Sequence, residues 1–335
     1  MRAIVIREYG GTDVLKVEDD VASPQVSSGE VEISVHAAGL NFADVMARLG
    51  HYKRGTPIPY VGGFEVAGIV TSVAPDVAGL AVGDRVAAMT RRGGFAERIA
   101  VDSRDAIKLP DSMSYEEGAT IPVGGTTAWA ALVSYGNVQP GERVLIKAAA
   151  GGVGVMAVQI AKHAGAQVWG AASPRKHGML RQLGVDHIVD YTAQGWEANL
   201  PSFDLILDAI GGDSFARSYR MLRPGGRLVM FGAASAFDKG KRDVGDAEVA
   251  PDFRVIEGVD SSNLMIDSKS LIGFDQRVLW DDRGTIQPWL APLRVLLDQG
   301  ALGGIVSAVL PFTEAARAHD LLVSRATAGK VVLVP

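Results

Sequence analysis

The sequence predicts a two-domain α/β protein: a doubly wound parallel sheet next to an irregular, largely antiparallel β domain. Three observations carry this. From about residue 126, apolar strand-like runs alternate with helical stretches through short Gly/Pro turns, the pattern of βαβ units. The first third instead holds many short strand-like runs separated by glycines. At 335 residues the chain is also too long for one ordinary core.

In the first third, residues 30–35 alternate as a strand, and Gly39-Leu40-Asn41 leads into a short helix over 42–49. Further strands are expected at 64–73, 83–88 and 93–101. After residue 126 the order is helix 126–135, strand 144–148, helix 153–164, strand 167–171, helix 175–183 and strand 187–190. Strand 203–209, helix 214–222 and strand 227–231 follow. These strands are near-continuously apolar, as expected where both faces are buried. Residues 234–262 are polar and aperiodic, which reads as a lid or binding loop. Residues 268–274 supply one more strand, completing a six-stranded sheet. The tail, with helix 288–299, strand 305–310, helix 313–324 and strand 330–334, is placed to return to the first domain.

The most informative segment is the glycine-rich run between strand 144–148 and helix 153–164. It reads Ala149-x-Gly151-x-x-Gly154, with alanine at the first of three fingerprint positions. Small residues there let a pyrophosphate approach the backbone, free N–H groups point outward, and the helix dipole favours negative charge. Alanine is tolerated if the turn keeps φ negative. Ala149, Gly151, Gly152, Val153 and Gly154 are the expected phosphate cradle. The bland alternative is a turn that packs helix on strand and holds nothing.

An acid at the end of the next strand would select NAD by bonding the ribose 2′-hydroxyl. The chain instead reads Ala171-Ala172-Ser173-Pro174-Arg175-Lys176, with no carboxylate and two cations beside a hydroxyl. Cations at a helix N-terminus oppose its dipole, so their presence points to a bound anion. NADPH is the expected cofactor.

Composition narrows the partners. A net charge of −5 and no polybasic run argue against nucleic acid. Arg91-Arg92 and Lys239-Gly240-Lys241-Arg242 read as solvated loop charge. With no cysteine there is no disulfide, thiolate nucleophile or cysteine-ligated zinc, which fits a cytoplasmic protein. Charge arrives too early at the N-terminus for a signal peptide, and the longest uncharged stretch, 118–141, is broken by Pro122, Gly124, Gly125 and Pro140.

Gly141-Glu142-x-x-Leu145-x-x-x-Ala149-Ala150-Gly151-Gly152-x-Gly154 and Gln159-x-x-Lys162 resemble the quinone oxidoreductase (ζ-crystallin-like) branch of the zinc-independent medium-chain dehydrogenases/reductases. Gly39-Leu40-Asn41-Phe42-Ala43-Asp44, Gly124-Gly125-Thr126-Thr127-Ala128, Asp208-Ala209-Ile210-Gly211-Gly212 and Gly329-Lys330-Val331-Val332-Leu333 extend the resemblance over nearly the whole chain. Residues 178–191 and 265–274 are most similar to the VAT-1 homologues. The resemblance implies a GroES-like catalytic domain (1–123 and 280–335) around an inserted Rossmann domain (124–279). It also implies an active-site cleft between them and a homodimer built through the sixth Rossmann strand.

Carried over by position, Thr127 would hold the nicotinamide carboxamide. Ser173, Lys176 and Tyr191, with Arg175 nearby, would contact the adenosine 2′-phosphate. Phe231, Gly232 and Ala233 would line the nicotinamide side, and Asn41, Asp44 and Tyr52 would face the substrate. Lys330 reads either as a cofactor-binding residue of the cleft or as a solvated charge at a strand start. Zinc-dependent relatives carry a histidine in Gly-His-Glu and a cysteine at the Asn41 loop. This chain has Gly63-Phe64-Glu65 and Asn41 there, so no metal ligand is expected.

The expected chemistry is hydride donation by NADPH to a quinone or an α,β-unsaturated carbonyl, with a hydrogen-bond donor stabilising the developing oxyanion. Tyr52 is the first candidate donor, Asn41 the polarising amide, and His51 a further acid. Asn41 followed by Asp44 also fits a helix N-cap with an acid in the first turn. Tyr60 reads as packing, and Asp208 as organising the loop after its strand. Two other functions stay open: an NADPH-binding interaction or structural protein without turnover, and an enoyl-thioester reductase.

Overall fold

The computed structural model describes all residues except 53–56, 233, 238–255 and 257–258. The chain divides into two compact units, Met1–Thr126 with Trp280–Pro335, and Thr127–Leu279.

The first unit opens with β1 (Ala3–Ile6), β2 (Lys16–Glu18), β3 (Glu30–Leu40), α1 (Phe42–Arg48), β4 (Tyr60–Val61) and β5 (Glu65–Val73). β6 (Arg85–Met89), β7 (Arg98–Asp102), β8 (Ala106–Lys108), α2 (Tyr115–Gly118) and α3 (Pro122–Trp129) follow. The second unit runs through β9 (Arg143–Lys147), α4 (Gly152–His163), β10 (Gln167–Ala172), α5 (His177–Gln182), β11 (His187–Asp190) and β12 (Phe203–Asp208). It continues with α6 (Asp213–Met221), β13 (Leu222–Met230), α7 (Ser261–Asp267) and β14 (Ser270–Gly273). After α8 (Gln276–Arg283) the chain completes the first unit with α9 (Gln287–Asp298), β15 (Val306–Pro311), α10 (Ala315–Val323) and β16 (Lys330–Val334).

The second unit is the parallel sheet foreseen. Its strand order is β11-β10-β9-β12-β13-β14, and every pairing is parallel. The order reverses direction next to β9, so the turn after β9 lies at the topological switch point, where such sheets bind ligands. All six residues of β12 are buried, its apolar side chains in the core and Asp204 and Asp208 held by hydrogen bonds and ion pairs.

The first unit carries a seven-stranded sheet ordered β15-β16-β3-β5-β6-β8, with β7 also on β3, and a three-stranded sheet β2-β1-β4. Residues 30–35 start a longer strand than expected. β3 continues to Leu40 because Ala37 and Ala38 find partners in Ala67 and Val66, and Leu333 pairs with Ala38. The tail does come back: β16 runs antiparallel to β3, and β15 parallel to β16. Asp105, buried in this unit, ties the returning segment down by accepting from Trp280 Nε1, Thr285 Oγ1 and the Ile286 amide. Arg91 is no free loop charge, since it pairs with Asp281 at 3.1 Å and lies over the Trp280 ring.

Candidate functional site

In the second unit the polypeptide turns from β9 into α4 through residues 148–151. Ala148, and not Ala149, takes the left-handed conformation, with φ of 54°. Gly151 caps α4 in an extended conformation (φ −88°, ψ 173°), and residues 151–153 are only partly buried. The first three N–H groups of a helix have no partner inside it, so those of Gly152, Val153 and Gly154 are available to an anion. A side chain at Gly154 would overlap the Ala148 carbonyl and lie 2.7 Å from Ala149 Cα, which is why only glycine lets α4 sit this close to the turn.

At the end of β10, Ser173 begins a 3₁₀ turn (Pro174–Lys176) that leads into α5. The Ser173 hydroxyl is buried and has no hydrogen-bond partner among the described residues. Arg175 is exposed, Lys176 half-buried, and Tyr191, just past β11, is 43% exposed. A buried hydroxyl with no partner beside two cations fits a missing anionic group. Thr127 is buried and donates to Gln276 Oε1 at 2.7 Å. Phe231 and Gly232 follow β13 and are half-buried, whereas Ala233 and most of loop 234–262 lie outside the described residues, as do residues 239–242.

Beside this turn, Asp208 does organise its loop. Its Oδ1 accepts from Ile210 N, and its Oδ2 accepts the Ser214 and Ser218 hydroxyls. Lys147, the last residue of β9, is 3.3 Å from Asp208 Oδ2 and donates to Ser214 Oγ. Burial pushes the Lys147 ammonium below its ordinary pKa, against the pull of Asp208.

In the first unit, Asn41, Asp44, Glu65 and Lys330 form one buried polar group. Lys330 is 4% exposed, so the solvated reading of this residue fails. Its Nζ is 2.6 Å from Glu65 Oε1 and 2.6 Å from Asn41 Oδ1. Asn41 Nδ2 donates to Glu65 Oε1 at 2.8 Å, and Glu65 Oε2 accepts from Val123 N. The helix-cap reading holds: Asn41 is the N-cap of α1 with Asp44 in its first turn, and Asp44 Oδ2 accepts from Asn41 N at 2.8 Å. The Asn41 side chain serves the ion pair as well. Asp44 Oδ1 also accepts from Gly63 N. Burial pushes the Asp44 carboxyl up to about 7; the Asn41 amide opposes this and the Glu65 charge adds to it. Lys330 and the Gly63 amide pull it back down.

Tyr52 is half-buried, and its ring lies 5.7 Å from that of Phe64. Tyr60 is 5% exposed in the same apolar cluster, which agrees with a packing role. Glu65 was not singled out from the sequence. Its only signal is a charge opening an otherwise apolar strand, and the return of Lys330 from 265 residues away in sequence is what reveals it.

A family model described as "Zinc-binding dehydrogenase" matches residues 183–333, and one described as "Alcohol dehydrogenase GroES-like domain" matches residues 27–111. A human protein named "Synaptic vesicle membrane protein VAT-1 homolog" is 33% identical over 342 residues, covering 100% of this chain and 86% of its own. The chain belongs to the medium-chain dehydrogenase/reductase family. Within these oxidoreductases it is VAT-1-like and quinone oxidoreductase-like. A Pseudomonas syringae quinone oxidoreductase superposes with a TM-score of 0.83 at 29% identity, covering 100% of this chain and 99% of that one. A mycobacterial structure complexed with NADPH gives 0.84 at 31%, covering 100% of both chains. The CurK enoyl reductase gives 0.83 at 30%, covering 99% and 98%.

Membership in this family raises the question of zinc. Phe64 and Asn41 stand where zinc-dependent members place ligands, the chain has no cysteine, and no group of three or more His, Cys, Asp or Glu among the described residues is placed to hold a metal. These residues do not fit the metal. No described helix is long and apolar enough to cross a membrane.

Proposed function

We propose that the protein is an NADPH-dependent, zinc-independent reductase of quinones or α,β-unsaturated carbonyls. The observation that carries the reading is the end of β10. There a buried, unpartnered Ser173 hydroxyl precedes Arg175 and Lys176, with no carboxylate to select a ribose hydroxyl. When bound, NADPH supplies a hydride to the acceptor.

This chain's residues do the rest. The N–H groups of Gly152, Val153 and Gly154 hold the pyrophosphate, with Ala149 and Gly151 shaping the turn. Ser173, Arg175 and Lys176 hold the 2′-phosphate, and Tyr191 covers the adenosine. Thr127, its proton given to Gln276, keeps an oxygen lone pair to accept from the carboxamide. Phe231, Gly232 and Ala233 line the nicotinamide. Lys330 retains one N–H beyond Asn41 and Glu65 for the cofactor. Tyr52 donates to the acceptor oxygen as charge develops on it. Asn41, held at both ends of its amide, is fixed in orientation toward the substrate, with Asp44 anchoring its backbone. The domain limits we assign are 1–123 with 280–335, and 124–279. We further assign a homodimer through β14, whose outer edge has no strand partner among the described residues and which follows exposed Met265 and Ile266 of α7. A cytoplasmic location completes the assignment.

The test is NADPH oxidation against quinones, 2-alkenals and enoyl thioesters, with NADPH and NADH affinities measured separately by calorimetry. Turnover is expected with quinones or alkenals. Turnover with enoyl thioesters alone would move the protein to enoyl reduction, a reading the CurK similarity favours. Tight NADPH binding without any turnover would leave a non-enzymatic binding protein. Lys176→Glu is expected to weaken NADPH at least tenfold and leave NADH nearly unchanged; equal loss of both would show the phosphate site to be misplaced.

A further inference from the structure

Three neighbouring polar side chains of the first unit are buried with polar atoms that find no partner among the described residues. Arg48, closing α1, is 4% exposed; one guanidinium nitrogen donates to Gly10 O, but Nε has no partner. The Tyr60 hydroxyl on β4 has none, and His319 on α10, 1% exposed, has none at either ring nitrogen. The elements carrying them pack together. α10 contacts both α1 and the 3₁₀ turn Thr12–Val14, and Tyr60 packs in one cluster with Val14 and Ala47. The Arg48 charge reaches the other two. Burial, with that charge added, holds His319 down at about 3, while burial and the Asp44 charge push Tyr60 up, against Arg48.

Among the described residues the guanidinium also has no ion-pair partner. Asp44, four residues back on the same helix, is turned to the Asn41 and Gly63 amides. Asp13 and Asp320 are felt at a distance, but both are exposed and neither is ion-paired with Arg48. Interiors rarely leave even one such group unsatisfied, and here four atoms on three neighbouring side chains are. A guanidinium N–H, a phenol O–H and an imidazole N–H are all donors, and their net charge is positive. A water molecule accepts two bonds at most and leaves the charge uncompensated, whereas a small anion accepts all three and neutralises it. The single guanidinium charge is matched by one monovalent ion.

We propose that Arg48, Tyr60 and His319 enclose a binding site for a small monovalent inorganic anion of the chloride class. The anion pins the C-terminal end of α1 to β4 and α10, and so steadies the helix whose first turn holds Asp44 and follows Asn41.

Crystals of the full chain soaked in sodium bromide and measured at the bromine edge test this directly. An anomalous peak touching Arg48, Tyr60 and His319 is expected. In solution, chloride or bromide replacing gluconate at constant ionic strength should raise Tm saturably, by about 2–4 °C at ten times the half-saturating concentration. Arg48→Met should abolish that rise. Should Arg48→Met fold poorly, Tyr60→Phe and His319→Leu remain, and each should raise the half-saturating concentration roughly tenfold for one lost charge-assisted bond. Water density in place of bromide overturns the proposal, as does saturation only at molar halide or an unchanged halide response in these variants.

Discussion

Asp44 is a carboxyl that its own fold keeps near neutrality. Burial raises it from 3.8 to about 7, so its proton stabilises the folded state below its unfolded pKa, and that stability is lost as pH rises through about 7. His319 shifts the other way, from 6.5 to about 3, and its contribution, full above 6.5, is lost progressively as pH falls from there through the folded value. Above its ordinary pKa it is neutral in both states, so only Asp44 of the two is visible on the alkaline side. Linkage then gives a loss of about 0.8 kcal/mol from Asp44 between about pH 6.5 and about pH 8.5. Asp44→Asn keeps one acceptor for the Asn41 and Gly63 amides and removes the titration. The wild-type stability minus that of Asp44→Asn, from urea unfolding, should therefore fall across this window. A constant difference would mean that Asp44 is already ionised in the fold.

At the scale of elements, β14 is the sheet strand with the most at stake. Among the described residues it pairs only with β13, and Met265 and Ile266 on the preceding α7 are 74% and 81% exposed. An unpaired edge flanked by exposed apolar side chains is covered in native proteins or it aggregates. Met265→Glu with Ile266→Lys is expected to convert a dimer to a monomer in sedimentation velocity while NADPH binding persists. An unchanged sedimentation coefficient would place the interface elsewhere. The second unit was legible because each of its elements is local: apolar runs such as residues 205–207 and the turn after Lys147 announce themselves within a few residues. α5 came out shorter than expected since Pro174 starts a 3₁₀ turn first. β4 and β8, with two and three residues, carry no periodicity to find, and exist because β1 and β6 offer them an edge. The polar group at Asn41 was half legible. The residues stood in the sequence, but the contacts of Glu65 and Lys330 come from strand register, which no local pattern encodes.

Across the whole molecule, the chain leaves the first unit at about Thr126, builds the second, and returns to finish the first. That return is structural and chemical at once: β16 fills the gap between β15 and β3, and its first residue brings the cation that faces Glu65. Glu65 is 0% exposed, so its charge is tolerated only while Lys330 and its hydrogen bonds are in place. Lys330→Met keeps the bulk of the stem but strands a buried carboxylate, which should cost about 3–5 kcal/mol in urea unfolding. Glu65→Gln alone strands the ammonium and should cost a similar amount. The double variant removes both charges and the desolvation they demanded, so its loss should be well below the sum of the single losses. Strict additivity would show that the pair does not act as a unit, and that β16 holds the sheet by backbone pairing and apolar burial alone. Turnover gives a second reading of the same series. Asn41 Oδ1 loses its Lys330 partner in Lys330→Met and in the double variant, whereas the glutamine carbonyl of Glu65→Gln keeps one acceptor for Asn41 Nδ2 or Val123 N. The double variant should therefore regain stability without regaining kcat, separating the part of the network that supports the fold from the part that orients the amide.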